Sequence, residues 1–167
     1  MDIRIAGTAN DSIVDGPGIR YTIFTQGCPH NCPGCHNPQT HDFCGGTVVD
    51  TKNLIDEIKS NPLLDGVTFS GGEPFCQPAP LCEIAAQIKN TGMNIVTYTG
   101  YTFEYLLENA TSENGYMELL SYTDILVDGE FLIGQKTLDA EFKGSKNQRV
   151  IDCNKSLSQK RTIEYQL

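Results

Sequence analysis

The sequence predicts an α/β fold with a mainly parallel sheet, either a partial, laterally open (β/α) barrel or a curved doubly wound sheet. Three observations carry that expectation. Strand-like and helix-like segments alternate from Ile19 to Val127, the pattern of right-handed βαβ units. A chain of 167 residues is shorter than the ~200 or more of a complete eight-fold barrel, leaving room for about five or six units. No repeat, low-complexity block or linker divides the chain, so residues 1–152 read as one domain, with a loosely held C-terminal tail over 153–167.

The elements follow in order. Ile19 to Gln26 (IRYTIFTQ) is rich in β-branched and aromatic residues between glycines and reads as a strand. Leu54, Ile55 and Ile58 recur at helical spacing over 51–60, and Pro62 ends that helix. Gly66 to Ser70 (GVTFS) is a short buried strand running into Gly71-Gly72. Leu81, Ile84, Ala85 and Ile88 share one face of a helix over 79–91, with Gly92 as its C-cap. Asn94 to Thr99 is the next strand. Helices over about 102–109 and 113–121 lead to the strand Thr123 to Val127, and Arg149 to Ile151 is a last short one. In such folds the loops after strand C-termini converge on one side, where sites form. The loop after Gln26, the Gly71-Gly72-Glu73 loop, the Thr99-Gly100-Tyr101 segment and the Asp128-Gly129 turn should therefore be neighbours.

Composition excludes several classes of function. A net charge of −9 is the wrong sign for a nucleic-acid binder. No apolar run is long enough to span a bilayer. The N-terminus lacks a basic start and an apolar signal core, so the expected location is the cytoplasm. Seven cysteines, an odd number in a reducing compartment, read as metal ligands or redox groups rather than a disulfide framework. Charge is uneven: Lys136, Lys143, Lys146, Arg149, Lys155, Lys160 and Arg161 are seven of the twelve basic residues. They form either a solvated basic tail or a docking surface for an acidic protein.

Three of the cysteines fall within eight residues, in Gly27-Cys28-Pro29-His30-Asn31-Cys32-Pro33-Gly34-Cys35-His36-Asn37. The glycines and prolines permit the tight turns that let backbone N–H groups face sulfur. Three chemistries compete for Cys28, Cys32 and Cys35. A structural zinc site needs four closed ligands, usually from paired knuckles; Cys44, His30, His36 or His41 can complete one, but there is no second knuckle. Thiol redox chemistry uses an isolated C-x-x-C, for which a third cysteine is superfluous. An iron–sulfur cluster with three cysteine ligands fits best. Electron-transfer clusters have four, so a three-cysteine cluster leaves one iron open to a ligand. Cys44, Cys76, Cys82 and Cys153 lack ligand spacing, and Cys82 reads as a small core residue.

C-x3-C-x2-C after an early strand, with Ser70-Gly71-Gly72-Glu73-Pro74 at a later strand end, resembles the radical S-adenosylmethionine enzymes. The likeness narrows further with Asp15-Gly16-Pro17-Gly18-Ile19-Arg20, Gly27-Cys28-Pro29-His30, Cys35-His36-Asn37-Pro38, Ser70 to Phe75, and Phe142-Lys143-Gly144-Ser145 through Asn147-Gln148-Arg149. Together and in this order, over about residues 3–152, they resemble the family that activates anaerobic ribonucleotide reductases.

The resemblance implies a partial, laterally open barrel of the radical S-adenosylmethionine type, with a [4Fe-4S] cluster on Cys28, Cys32 and Cys35. Its open iron takes the amino and carboxylate groups of S-adenosylmethionine. It also implies that a 5′-deoxyadenosyl radical removes a Cα hydrogen from a glycine of the reductase large subunit, with one electron supplied by a donor such as flavodoxin. Gly71 and Gly72 bring backbone close to the methionine moiety, Glu73 offers its carboxylate to the ammonium, and Tyr98, Thr99 and Gly100 are ribose or methionine contacts. The turn before a helix that GGEP also encodes serves the same geometry. Many radical enzymes carry an aromatic just before the third cysteine to lie against adenine; here that position is Gly34, and His36 either replaces it or merely packs the loop. Asp15 to Gly18 reads as a turn, and Lys143, Lys146 and Arg149 as a site mouth, a partner surface or a plain strand. The remaining alternatives are an activase of another glycyl radical enzyme, a small-molecule radical enzyme such as a deazapurine-forming ring contractase, and a non-enzymatic zinc-binding interaction module.

Overall fold

The computed structural model describes residues 1–166. Four strands form its parallel centre: β2 (Arg20–Thr25), β4 (Gly66–Gly71), β5 (Asn94–Tyr98) and β6 (Ile125–Asp128). Each is a run of β-branched and aromatic residues with both faces covered, the pattern of a buried parallel strand. Three further strands flank them antiparallel: β1 (Asp2–Ser12), β3 (Thr47–Asp50) and β7 (Arg149–Asp152). The sheet has seven strands in the order β3-β1-β2-β4-β5-β6-β7. "Mainly parallel" therefore holds for the centre alone, and the edges are antiparallel. β3 and β7 end the sheet without pairing to each other.

Crossovers between the central strands carry helices α1 (Thr51–Ser60), α2 (Pro78–Lys89), α3 (Phe103–Glu108) and α4 (Tyr116–Tyr122). Local sequence sets their starts. Asp50 accepts the Lys52 N–H at 3.0 Å ahead of α1, and Thr102 accepts that of Tyr105 at 3.1 Å ahead of α3, the usual N-cap bonds. The α2 C-cap is Asn90, with Gly92 two residues further on at φ +83°. The helices lie side by side, α1 on α2, α2 on α4, and α4 on α3 and α5 (Cys153–Gln159). Their apolar faces join alternate strand positions (Tyr21, Ile23, Val67, Phe69, Ile95, Leu126) in one core. The intervening positions, among them Arg20, Thr22, Thr68, Val96 and Tyr98, face the other way, where Val96, Ile125 and Val127 form a smaller cluster.

β1 and β3 have no counterpart in the sequence reading. β1 buries only Ile3 and Ile5 before turning polar and exposed, and β3 is four residues long on an edge. The region from Cys153 also differs from the loose tail expected. Asp152 caps α5, Cys153 is fully buried, and its N–H donates to the Asp124 carbonyl at 2.9 Å. Beyond the helix the chain returns to β7, with Asp152 N donating to Ile163 O and Tyr165 N to Val150 O. Among the described residues no helix is long and apolar enough to cross a membrane.

Removing residues 153–167 exposes β7 and one flank of α4. The thermal midpoint should fall by roughly 5–10 °C, the shift produced by about 2–3 kcal/mol in a domain of this size. Calorimetry on the two lengths checks this, and an unchanged midpoint would show that the segment adds no stability.

Candidate functional site

Parallel strands end on the same side, and here four such ends meet. β2 leads into the cysteine loop, β4 into Gly72-Glu73, β5 into Thr99-Gly100 and β6 into Gly129–Phe131. Between them lies a cleft of ≈ 230 Å³ lined by Cys28, Cys32, Cys35, His36, Gly71, Gly72, Tyr98, Thr99 and Gly100. These are nine of the residues singled out in the sequence. Two more, Gly34 and Glu73, are not in its wall.

The cysteine loop is anchored at its base. Gly27 N donates to Thr40 O at 2.7 Å and Cys28 N to His41 O at 3.2 Å, while the Gln26 side chain donates to the Gln39 and Asp42 carbonyls. The loop therefore closes on itself within twenty residues. Backbone N–H groups face sulfur as expected: Asn37 N lies 3.4 Å from Cys35 Sγ, those of His30 and Asn31 face Cys28, and that of Phe131 faces Cys32. Such contacts tune iron–sulfur clusters. Burial pushes the Cys28 thiol up to about 11 and raises Cys32 as well. Coordination to a metal reverses that direction, because the thiolate is then the stable form.

The Gly71–Glu73 turn explains its own glycines. Gly71 has φ +103°, and a Cβ there would stand 2.4 Å from the Thr25 nitrogen. One on Gly72 would stand 2.4 Å from the Gly27 carbonyl oxygen. The turn is bonded directly to the root of the cysteine loop, Gly72 N to Thr25 O at 3.0 Å and Glu73 N to Gly27 O at 2.9 Å. Close approach to protein backbone accounts for both glycines.

Glu73 lies outside the cleft wall. Its side chain is fully buried, behind residues that line the cleft. Oε1 accepts His30 Nε2–H at 2.6 Å and Gly100 N–H at 2.8 Å. Thr99 Oγ1 lies 2.9 Å from both oxygens, and Phe75 N–H donates to Oε2 at 3.1 Å. Four protein donors meet the carboxylate. Burial acts against charge on His30, but the hydrogen bond to Glu73 and the charges of Glu73 and Glu130 outweigh it and raise its pKa.

Gly34, expected among the cofactor-binding residues, is also outside the wall. It sits at φ +73° beneath Ile133, whose Cδ1 would be 2.6 Å from a Cβ. The space an aromatic would fill is taken by the segment after β6. That segment brings Phe131 into the cleft, edge-on to His36 at a centroid distance of 5.1 Å. Sequence reading missed Phe131, although its position just past the β6 end was a usable signal. His30, considered only as a zinc ligand, and Asn37 and Gln148, noted only within motifs, also line the cleft. Gln148 closes the far wall: its Oε1 accepts Gly144 N–H at 2.8 Å and its Nε2 donates to Gly129 O at 2.9 Å. Arg149, from the same motif, pairs with Asp128 and Glu104 instead.

Opposite the cysteines, Asp15 reaches the cleft and accepts the Ser12 and Thr22 hydroxyls. The turn behind it is held by fully buried Arg20, which donates to Pro17 O, Thr68 Oγ1 and Val67 O at 2.7–2.8 Å; burial lowers its pKa to about 10. Among the described residues, no three His, Cys, Asp or Glu side chains are gathered closely enough for one metal ion. Cys28, Cys32 and Cys35 nevertheless share one loop and one cleft, and thiolates are the ligands that iron–sulfur clusters take. By its chemistry this donor set fits a cluster.

Comparison with known proteins agrees. A family described as a 4Fe-4S single cluster domain matches residues 14–151. The chain is 33% identical over 145 residues to the anaerobic ribonucleoside-triphosphate reductase-activating protein of Vibrio cholerae, covering 81% of this chain and 89% of that one. The chain belongs to the anaerobic ribonucleoside-triphosphate reductase-activating protein family. The Escherichia coli K12 member is 35% identical over 149 residues, covering 83% of this chain and 91% of that one. The pyruvate formate-lyase-activating enzyme of Clostridium pasteurianum is 35% identical over 130 residues, or 74% of this chain. The chain spans 50% of that relative's length.

In metal-free protein, Cys28 should be half-maximally alkylated by iodoacetamide only near pH 11, because a raised pKa leaves little thiolate at neutral pH. Exposed Cys44 provides the internal comparison by mass spectrometry across pH. Cys28 reacting at pH 8 as fast as Cys44 would contradict the buried setting.

Proposed function

We propose that this chain is an activating enzyme which, with a [4Fe-4S] cluster and S-adenosylmethionine, installs a glycyl radical on the large subunit of an anaerobic ribonucleotide reductase. One observation carries the reading: Cys28, Cys32 and Cys35 share a single open cleft at the ends of the parallel strands, in a chain of the activating-protein family. Those three thiols hold the cluster, and the missing fourth ligand leaves one iron for the cofactor. When bound, the two groups supply a 5′-deoxyadenosyl radical and with it hydrogen abstraction from a glycine Cα.

The chain's own work is positioning. Gly71 and Gly72 present backbone at one wall, and Tyr98, Thr99 and Gly100 present the adjoining one. Phe131 and His36 offer aromatic surface to a flat base, the role that Gly34 leaves vacant. The rim suits a protein substrate better than a small one. Phe43 and Ile133, which cover Gly27 and Gly34, are 53% and 60% exposed, and apolar rims of this kind mark docking surfaces. A one-electron donor such as flavodoxin serves the cluster, with basic residues of the 136–161 region other than Arg149 facing an acidic partner. Seven free thiols suit a reducing cytoplasm, and the net charge of −9 leaves nucleic acid without a footprint.

Reduced protein mixed anaerobically with S-adenosylmethionine and the reductase should give a glycyl radical doublet by electron paramagnetic resonance. Cofactor cleavage with a doublet only on pyruvate formate-lyase would move the target to that enzyme. A colourless chain containing only zinc would sink the radical reading. Replacing Cys28, Cys32 or Cys35 with alanine should abolish iron incorporation, whereas Cys82→Ala, a change in the helix layer, should leave it intact; equal loss in all four would undo the ligand choice.

A further inference from the structure

Between its anchored ends, the cysteine loop is tied to the rest of the molecule chiefly through one side chain. Besides the Phe131 N–H that faces Cys32 and the neighbouring Asn37 N–H on Cys35, the described side-chain hydrogen bonds that leave residues 29–36 reduce to that of His30. Its ring is 7% exposed. Nε2–H donates to Glu73 Oε1 at 2.6 Å, the same oxygen that accepts Gly100 N–H. Nδ1 stands 3.4 Å from Oε1 of Glu130, beside Phe131. Tyr101 meets the ring edge-on at a centroid distance of 4.5 Å. A Cβ on Gly100 would be 2.4 Å from His30 Cδ2, so Gly100 is shaped to the histidine.

We propose that His30 is a positioning residue that locks the cysteine loop to the Gly71–Glu73 and Thr99–Gly100 turns, so that cluster loop and cofactor wall hold one fixed relation. The inference rests on the function proposed above. Backbone bonds join the loop to the Gly71–Glu73 turn only at Gly27, ahead of the first cysteine. The part of the loop that carries Cys32 and Cys35 packs against Phe131 and Ile133, and its hydrogen bond to the strand-end turns is that of His30. Without that bond the three thiols can still assemble a cluster, but the cluster is no longer held in register with the wall that receives S-adenosylmethionine.

The test compares wild type, His30→Phe and His30→Gln, each reconstituted anaerobically with iron and sulfide. Phenylalanine keeps the ring packing on Tyr101 but has no donor, whereas glutamine keeps an N–H of similar reach. All three should bind equal iron. His30→Phe should bind S-adenosylmethionine at least about tenfold more weakly by equilibrium dialysis, with His30→Gln restored to within about threefold, the scale of losing and regaining an outer-shell partner. The reduced-cluster resonance of His30→Phe should no longer change shape when S-adenosylmethionine is added. Wild-type affinity and spectral response in His30→Phe would overturn the proposal, as would equal losses in Phe and Gln, which would point to packing alone. Should His30→Phe not fold, His30→Asn, too short to reach Glu73, takes its place with the same expected loss. A wild type that holds no iron or binds no S-adenosylmethionine overturns the proposed function and this inference together; a normal wild type beside an unaffected variant overturns the inference alone.

Discussion

Everything around the cleft depends on one carboxylate held away from water. Burying the Glu73 carboxylate is costly unless its oxygens are fully bonded. Two carboxylate oxygens offer about four acceptor sites, and the chain brings four donor groups to them, from His30, Phe75, Thr99 and Gly100. Each donor comes from a segment that must be in place for the bond to exist. The requirement to satisfy this charge therefore fixes the cysteine loop, the β4 turn and the β5 end against one another, with bonds to charge stronger than neutral ones.

Glycine makes that convergence possible. Gly72 and Gly100 stand where another chain segment comes within bonding distance, the Gly27 carbonyl in one case and the His30 ring in the other. A methyl group at either would hold apart the segments that Glu73 draws together. The strand-end glycines are thus packing requirements first, and their place in the cleft wall follows from the packing.

Much of this was legible in the sequence, for reasons that differ by region. β2, β4, β5 and β6 are continuous apolar runs followed by turn residues, so both the parallel centre and the meeting of its ends could be read directly. The cysteine loop was legible because its chemistry lies within eight residues. The direction of Glu73 was not. Gly-Gly-Glu reads the same whether the carboxylate faces in or out, and what decides it are His30 and Thr99, 43 and 26 residues distant. Phe131 was hidden because periodicity ends at Asp128-Gly129. β1 was hidden because an antiparallel strand with two buried isoleucines has too little alternation to register. The last fifteen residues looked loose because polar side chains outnumber the few that anchor them, and burial of Cys153 is a tertiary fact.

The sheet also acts as a partition. One face carries the helices and nearly all of the apolar core, and the other carries Arg20, Thr22, Thr68 and Tyr98 with little apolar material to spare. Stability and chemistry therefore draw on different residues. A lineage can drift through many combinations of Leu, Ile and Val under the helices while the cleft stays unchanged, and it can retune the cleft for another target without repacking the interior. Sequence identities near one third are what such a division of labour permits.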